Sequence, residues 1–357
     1  MKTVFDQTEL SGMSMKNRFI RSATHDGRAD ALGHVTPKLV SHYEALAKGG
    51  VGTIITGLTN VTNVEKIIPT QMAIYDDSFI QEYQKLTDAV HQQDANIILQ
   101  LVCNGAQSRS QNAGALWGPS GMEDPHMKTV AEEMSKQDIK TMVEAFANGA
   151  RRAKAAGFDG VQIHVAHGYL LSRFLTPFYN RRNDEYGGTI ENRARAIVEV
   201  CRGIREMVGQ EYPVLAKINS ADFMEHGLTF EECKVVCKLL QEAGLSAVEL
   251  SGGNMASRAD EGTIRKVKNE TESYFLQYAK EMAEELDIPV ICVGGHRKLE
   301  KLEEIIGKTK ISYLSMSRPL IREPELIKRW KEGDTSPAKC ISCSMCFGVE
   351  TRCIFNK

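Results

Sequence analysis

No apolar run in this chain approaches the roughly 20 residues needed to cross a bilayer, and the opening MKTVFDQTEL lacks the apolar core of a secretory signal. Neither a membrane span nor an export leader is expected, which makes the cytoplasm the expected compartment. A formal net charge of −2 over 357 residues supplies no field that would draw a polyanion. Nucleic acid and acidic membrane surfaces are therefore not expected partners. Also missing is any Pro/Ser-rich or low-complexity stretch that would divide the chain, so one domain with a short appendage is expected. The first candidate strand-to-helix turn, RSATHDGRADALG, contains no GxGxxG, which removes the main sign of an open dinucleotide-binding sheet.

What the chain does contain is an alternation of strand and helix signals from end to end, with 42% hydrophobic residues to form a core. Three segments share one grammar: KGGVGTIITG, AAGFDGVQIH and EAGLSAVELSGG each close a helix with glycine and open an apolar strand. Strands are predicted near residues 19–22, 51–56, 97–101, 161–164, 214–218, 247–250, 290–293 and 313–316. Helices are predicted over 37–48, 78–93, 135–156, 190–208, 230–243, 275–286, 298–306 and 323–331. Eight such units in roughly 320 residues point to an α/β fold, a closed (β/α)8 TIM barrel. The barrel is expected over 1–335, with a cysteine-containing tail over 336–357.

In such a barrel the working groups stand at the carboxyl ends of the strands. Those ends carry Ser22, Ala23 and Thr24, then Gly57, Gln100, His164 with His167, Lys217, Gly253, Gly294 with Gly295, and finally Ser317 with Arg318. The irregular stretch from Cys103 to His126 is expected to be a long loop bordering substrate. Paired glycines in VGGHR beside the arginine of SMSRPL suit a phosphate, through backbone amides, a helix N-terminus and a fixed cation; the alternative is that the glycines only make tight turns. Gln100 and Lys217 end otherwise apolar strands. Either Lys217 pairs with a core carboxylate, or it and Gln100 face a heterocycle that becomes anionic on reduction, as a flavin does. HVAH names no third ligand for a metal. As neutral donors its imidazoles would hold a carbonyl oxygen, and Tyr169 would give a proton to carbon.

With these motifs in view, the sequence resembles the Old Yellow Enzyme family of FMN-dependent ene reductases, on the branch containing the 2,4-dienoyl-CoA reductases. The resemblance runs through KNRFIRSATHDG, IILQL, HVAHGYLLSRFLTPFYNRRNDEYGGTIENR, AKINSADF, VELSGG, VGGHR and MSRPLIREP. It implies that the strand-end residues from Ser22 to Thr24, with Gly57, Gln100, Lys217, Gly253, Gly294, Gly295, Ser317 and Arg318, surround FMN. It also implies that His164 and His167 hold the substrate's activating group and that Tyr169 is the proton donor. His25 departs from the cysteine or threonine of some relatives, and Lys217 from the arginine of many.

Of nine cysteines, five are scattered through helical or apolar stretches and read as reduced core residues. The remaining four, Cys340, Cys343, Cys346 and Cys353, form CxxCxxCx6C. In two-domain relatives a similar quartet binds a [4Fe-4S] cluster; here cluster, zinc and free thiols all stand as readings. The expected function is reduction of activated alkenes with NAD(P)H through FMN, on a small-molecule substrate, by a homo-oligomer with a possible redox-partner protein near the tail. The rival readings are an FMN/Fe-S dehydrogenase or demethylase, and a barrel lyase or aldolase using Lys217 as a Schiff base.

Overall fold

The computed structural model describes residues 2–63, 65, 69–108, 116–268 and 271–356. Residues 109–115 of the anticipated long loop lie outside them. Eight strands, Phe19–Arg21, Thr53–Ile55, Asn96–Val102, Gly160–Val165, Val214–Asn219, Ala247–Ser251, Val290–Val293 and Tyr313–Met316, run parallel. The ring closes because the eighth pairs with the first and the third with the fourth. All eight lie on predicted strands, with ends shifted by a residue or two.

Helices alternate with the strands because the sequence supplies their starts. Thr36 caps Pro37–Lys48 by accepting from the Leu39 amide, and reciprocal capping boxes, Ser135 with Asp138 and Thr229 with Glu232, open Lys136–Ala155 and Phe230–Glu242. The helix predicted over 323–331 begins only at Leu326. Pro324 cannot sit inside a helix, so the chain forms Arg318–Arg322 and then restarts as Leu326–Lys331. Two further features were not anticipated: a helix, Leu170–Leu175, inside the long motif, and a hairpin of Thr8–Leu10 with Met13–Met15. No helix among the described residues is long and apolar enough to cross a membrane.

The hairpin explains how the barrel is plugged. Leu10, Met13 and Met15 pack with Ile20, Ile98, Leu215, Ala247, Ile291 and Tyr313 in a cluster separate from the larger one between strands and helices. Side chains alternate along a strand, so the residues two places further on face the same interior: Ser22, Gln100, Lys217, Glu249, Val293 and Ser315. An apolar floor therefore carries a polar layer, and the mouth opens above it.

Candidate active site

The polar layer is a single hydrogen-bonded network. Lys217 stands opposite His164 on one neighbouring strand and Glu249 on the other. Its ammonium lies 2.8 Å from Ser22 Oγ and 3.2 Å from Glu249 Oε1. Glu249 also accepts from Ser22 Oγ at 2.7 Å, Gln162 Nε2 at 2.8 Å and Ser315 Oγ at 2.8 Å, while Gln162 accepts from Gln100 Nε2 at 2.8 Å. Burial alone would raise the Glu249 pKa, but Lys217 and the three donors hold it below the usual carboxylate range. The core carboxylate left open as a partner for Lys217 is thus present. That pair holds Nζ in two hydrogen bonds, whereas a Schiff-base nucleophile needs its nitrogen open to a carbonyl carbon.

Above this layer, His164 is buried and its Nδ1 accepts the Ala166 amide at 3.3 Å, which places the ring proton on Nε2. Burial, and then the Lys217 charge, push its pKa down to about 3. His167 sits in a left-handed turn with φ 64°, locked by Gln107 Nε2 donating to its carbonyl at 2.6 Å, and its Nε2 lies 2.7 Å from Ser251 Oγ. Its pKa also falls well below the ordinary value, by burial and then by the neighbouring His164 and Lys217. The two rings meet edge to face at 5.2 Å, and Tyr169 lies 4.5 Å from His164. Burial raises the Tyr169 pKa, so the phenol keeps its proton. The rest of the long motif is anchorage. Buried Arg173 pairs with Asp124 and donates to the Gly168 carbonyl at 2.7 Å, and Arg182 donates to the Pro119 and Met134 carbonyls at 3.0 and 2.6 Å, fastening the loop after the third strand.

A cavity of about 300 Å³ is lined by Ser22, Ala23, Thr24, Gln100 and Lys217 together with His164, His167 and Tyr169. Gly294, Ser317 and Arg318 also border it. These three, with Gly295, continue into a smaller pocket of about 60 Å³. Gly294 and Gly295 have φ 111° and 82°, and a Cβ on either would meet the Tyr274 ring at 2.6 and 2.9 Å, so only glycine fits. Gly57 and Gly253 do not border the cavity. Gly57 packs its backbone against Thr24 and Asp26, and Gly253 against Glu261 and Gly262. Arg318 is not free: its Nη1 donates to the Arg265 carbonyl and to Ser344 Oγ. His25 lines the cavity with a buried Nε2 that has no partner among the described residues.

Glu249, Gln162 and Ser251 were missed in sequence because each sits within an apolar strand; the inward phase fixed by Lys217 and His164 would have found them. The four tail cysteines border one further cavity, with Ile321, Ile341, Ile354 and Phe355 beside them. Among the described residues, no three His, Cys, Asp or Glu side chains come together in a group able to hold a single metal ion.

The sequence model of the NADH:flavin oxidoreductase / NADH oxidase family matches residues 3–336. The chain belongs to this family, the Old Yellow Enzyme-like FMN oxidoreductases. An NADH oxidase of Thermoanaerobacter brockii is 33% identical over 364 residues, covering 99% of this chain and 56% of that protein. An NADPH dehydrogenase of Geobacillus thermodenitrificans is 34% identical over 327 residues, covering 91% and 92%. The structure of 2-naphthoyl-CoA reductase with 2-naphthoyl-CoA superposes with a TM-score of 0.90 at 26% identity, over 95% of this chain and 54% of that one. This flavin-oxidoreductase barrel therefore spans about half the length of the NADH oxidase and of the naphthoyl-CoA reductase, and nearly all of the NADPH dehydrogenase.

Proposed function

We propose that this chain is an FMN-dependent ene reductase that uses NAD(P)H to reduce a carbon–carbon double bond conjugated to a carbonyl. Bound FMN would supply the hydride carrier, taking hydride from the nicotinamide and passing it to the alkene. Gly294, Gly295 and Arg318 would hold the phosphate, Gln100 and Lys217 the ring system, and Ser22, Ala23, Thr24 and Ser317 the walls between them. The unpartnered His25 Nε2 and the Cβ-free strip at Gly294 and Gly295 fit such an occupant.

The observation that carries the reading is the close packing of the His164 and His167 rings with the Tyr169 phenol in one cavity, where burial disfavours charge on all three. His164 offers its Nε2 proton, and His167 carries its proton on Nδ1 when the Ser251 hydroxyl donates to Nε2. Neutral donors bind a ground-state carbonyl without ionising it, then stabilise the charge that gathers on its oxygen as hydride arrives at the β-carbon. Tyr169 completes the reduction by protonating the α-carbon. A thioester such as the one in the name 2-naphthoyl-CoA reductase presents the same conjugated carbonyl.

In stopped-flow experiments, His164→Ala and His167→Ala should each slow the oxidative half-reaction with an enone about 10²- to 10³-fold. Flavin reduction by NAD(P)H should stay within about threefold of wild type, because no substrate carbonyl oxygen gains charge in that step. An oxidative half-reaction left intact in both variants would remove the assignment.

A second group is favoured by the tail. Cys340, Cys343, Cys346 and Cys353 line one apolar cavity, and the CxxCxxCx6C spacing is the basis for a [4Fe-4S] cluster, with zinc and free thiols as the alternatives. Around it Ile341, Met345, Val349, Ile354 and Phe355 are exposed, an apolar collar suited to a redox-partner protein. Anaerobically purified protein should carry about four iron and four sulfide per chain. Zinc without sulfide would contradict this.

A further inference from the structure

Met255, Ile264 and Phe347 line the large cavity, take no part in the flavin and carbonyl contacts assigned above, and are 52%, 48% and 39% exposed. A side chain that lines a cavity while open to solvent stands at its rim. All three are apolar, and the charged groups among the lining residues, Lys217 and Arg318, are both cations. An apolar rim above a polar base suits a ligand with one polar and one apolar end, and a cationic substituent would find no carboxylate on that wall.

Both sides of the rim are held by contacts of their own. Met255 and Ile264 belong to the loop after the sixth strand, where the Arg265 guanidinium lies over the Phe223, Tyr274 and Phe275 rings at 4.6, 5.2 and 4.8 Å and the Arg265 carbonyl accepts from Arg318 Nη1 at 2.7 Å. Phe347 belongs to the tail, beyond residues 3–336 that the family model matches. The chain just after it is fastened to the loop that follows the first strand. There the Thr351 amide and hydroxyl donate to the Asp26 and His25 carbonyls at 3.1 and 2.5 Å, Arg28 Nη2 donates to the Thr351 carbonyl at 3.0 Å, and Glu350 pairs with Arg28 at 3.2 Å. At Gly27, with φ 64°, a Cβ would stand 1.6 Å from the Val349 carbonyl oxygen, so only glycine lets the two stretches of chain meet.

We propose that Phe347, with Met255 and Ile264, selects among conjugated carbonyl compounds those that carry an aryl or bulky alkyl group beyond the double bond; this rests on the ene-reductase reading above. With the carbonyl oxygen at His164 and His167, that group extends past the polar part of the cavity to the rim. An aryl group there buries apolar surface against Phe347, Met255 and Ile264, whereas a hydrogen on the same carbon buries none. A residue of the tail thereby sets which alkenes the barrel takes.

The test compares methyl vinyl ketone with benzylideneacetone, which share the carbonyl and the double bond and differ in a phenyl group. The FMN-loaded protein is used throughout, and the intrinsic reactivity difference of the two ketones cancels when their ratio is compared between variants. Phe347→Ala should weaken binding of benzylideneacetone to the oxidised protein about five- to thirtyfold in equilibrium dialysis, and lower the ratio of kcat/KM for benzylideneacetone over methyl vinyl ketone by a similar factor. Phe347→Leu, which keeps an apolar side chain at the rim, should retain most of both. A ratio that stays at the wild-type value in Phe347→Ala, whether both rates hold or both fall together, would overturn the selection by the rim. A wild type that reduces neither ketone would instead overturn the ene-reductase reading beneath it.

Discussion

Replacing Glu249 by Ala leaves the Lys217 ammonium buried with one hydroxyl for a partner. Breaking a buried pair from one side costs about 3–5 kcal/mol, whereas replacing both members with apolar groups is often neutral. In flavin-free protein, urea denaturation should therefore show Glu249→Ala losing several kcal/mol and Lys217→Met/Glu249→Leu losing less. Equal losses would mean the pair is not the source of the effect. The histidines give a pH signature with a definite sign. His164 and His167 have depressed folded-state pKa values, about 3 for His164, against about 6.5 unfolded. Above pH 6.5 neither state binds a proton there. Below it the unfolded chain takes up protons that the native chain refuses, so stability falls with pH by about 1.4 kcal/mol per unit for each histidine. Between about pH 7.5 and 5.5, wild type should lose about 1.4 kcal/mol more than His164→Asn. A parallel loss would show that His164 titrates normally. At this scale much was legible: Lys217, Gln100 and the His164–His167–Tyr169 group were visible as polar residues where apolar strands end. Glu249 was not, because AVELS reads as an apolar run until the inward phase is known.

Among the elements, the loops after the seventh and eighth strands show how a short motif acts through shape. Gly294→Ala would place a methyl group 2.6 Å from the Tyr274 ring at a φ of 111°. The strain, about 1–3 kcal/mol, falls on the wall of the smaller pocket. Gel-filtered Gly294→Ala should retain far less flavin than wild type while its far-ultraviolet circular dichroism stays unchanged; full flavin content would mean that Tyr274 moves aside at little cost. The barrel itself was readable because each glycine-ended helix and apolar strand repeats, and because the caps at Thr36, Ser135 and Thr229 are local. The placement of Gly57 and Gly253 outside the cavity lining was not readable: a glycine packed close against neighbouring backbone looks the same in sequence as one that lines a pocket. Nor was the anchorage by Arg173 and Arg182, whose partners at Asp124, Pro119 and Met134 lie 48 to 63 residues away along the chain.

The whole molecule divides its labour along the barrel axis. Chemistry gathers where the strands end, while the opposite end is closed by the hairpin, whose Leu10, Met13 and Met15 rest on the apolar layer beneath Lys217 and Glu249. The floor contributes burial only, and the polar layer shields the mouth from small changes in its packing. Met15 is fully buried, so Met15→Ala removes a large side chain and should cost about 2–5 kcal/mol of folding stability. Both half-reaction rates and flavin content should nevertheless match wild type well below the melting transition, because among the described residues no member of the network bonds to the hairpin's side chains. His164→Ala should do the reverse, slowing alkene reduction about 10²- to 10³-fold while lowering the denaturation midpoint at neutral pH less than Met15→Ala does. Urea denaturation and stopped-flow rates measured on the same two proteins decide it. If Met15→Ala lowers the oxidative rate in step with stability, the floor and the mouth are mechanically coupled through the Lys217–Glu249 layer, and the separation of the two ends fails.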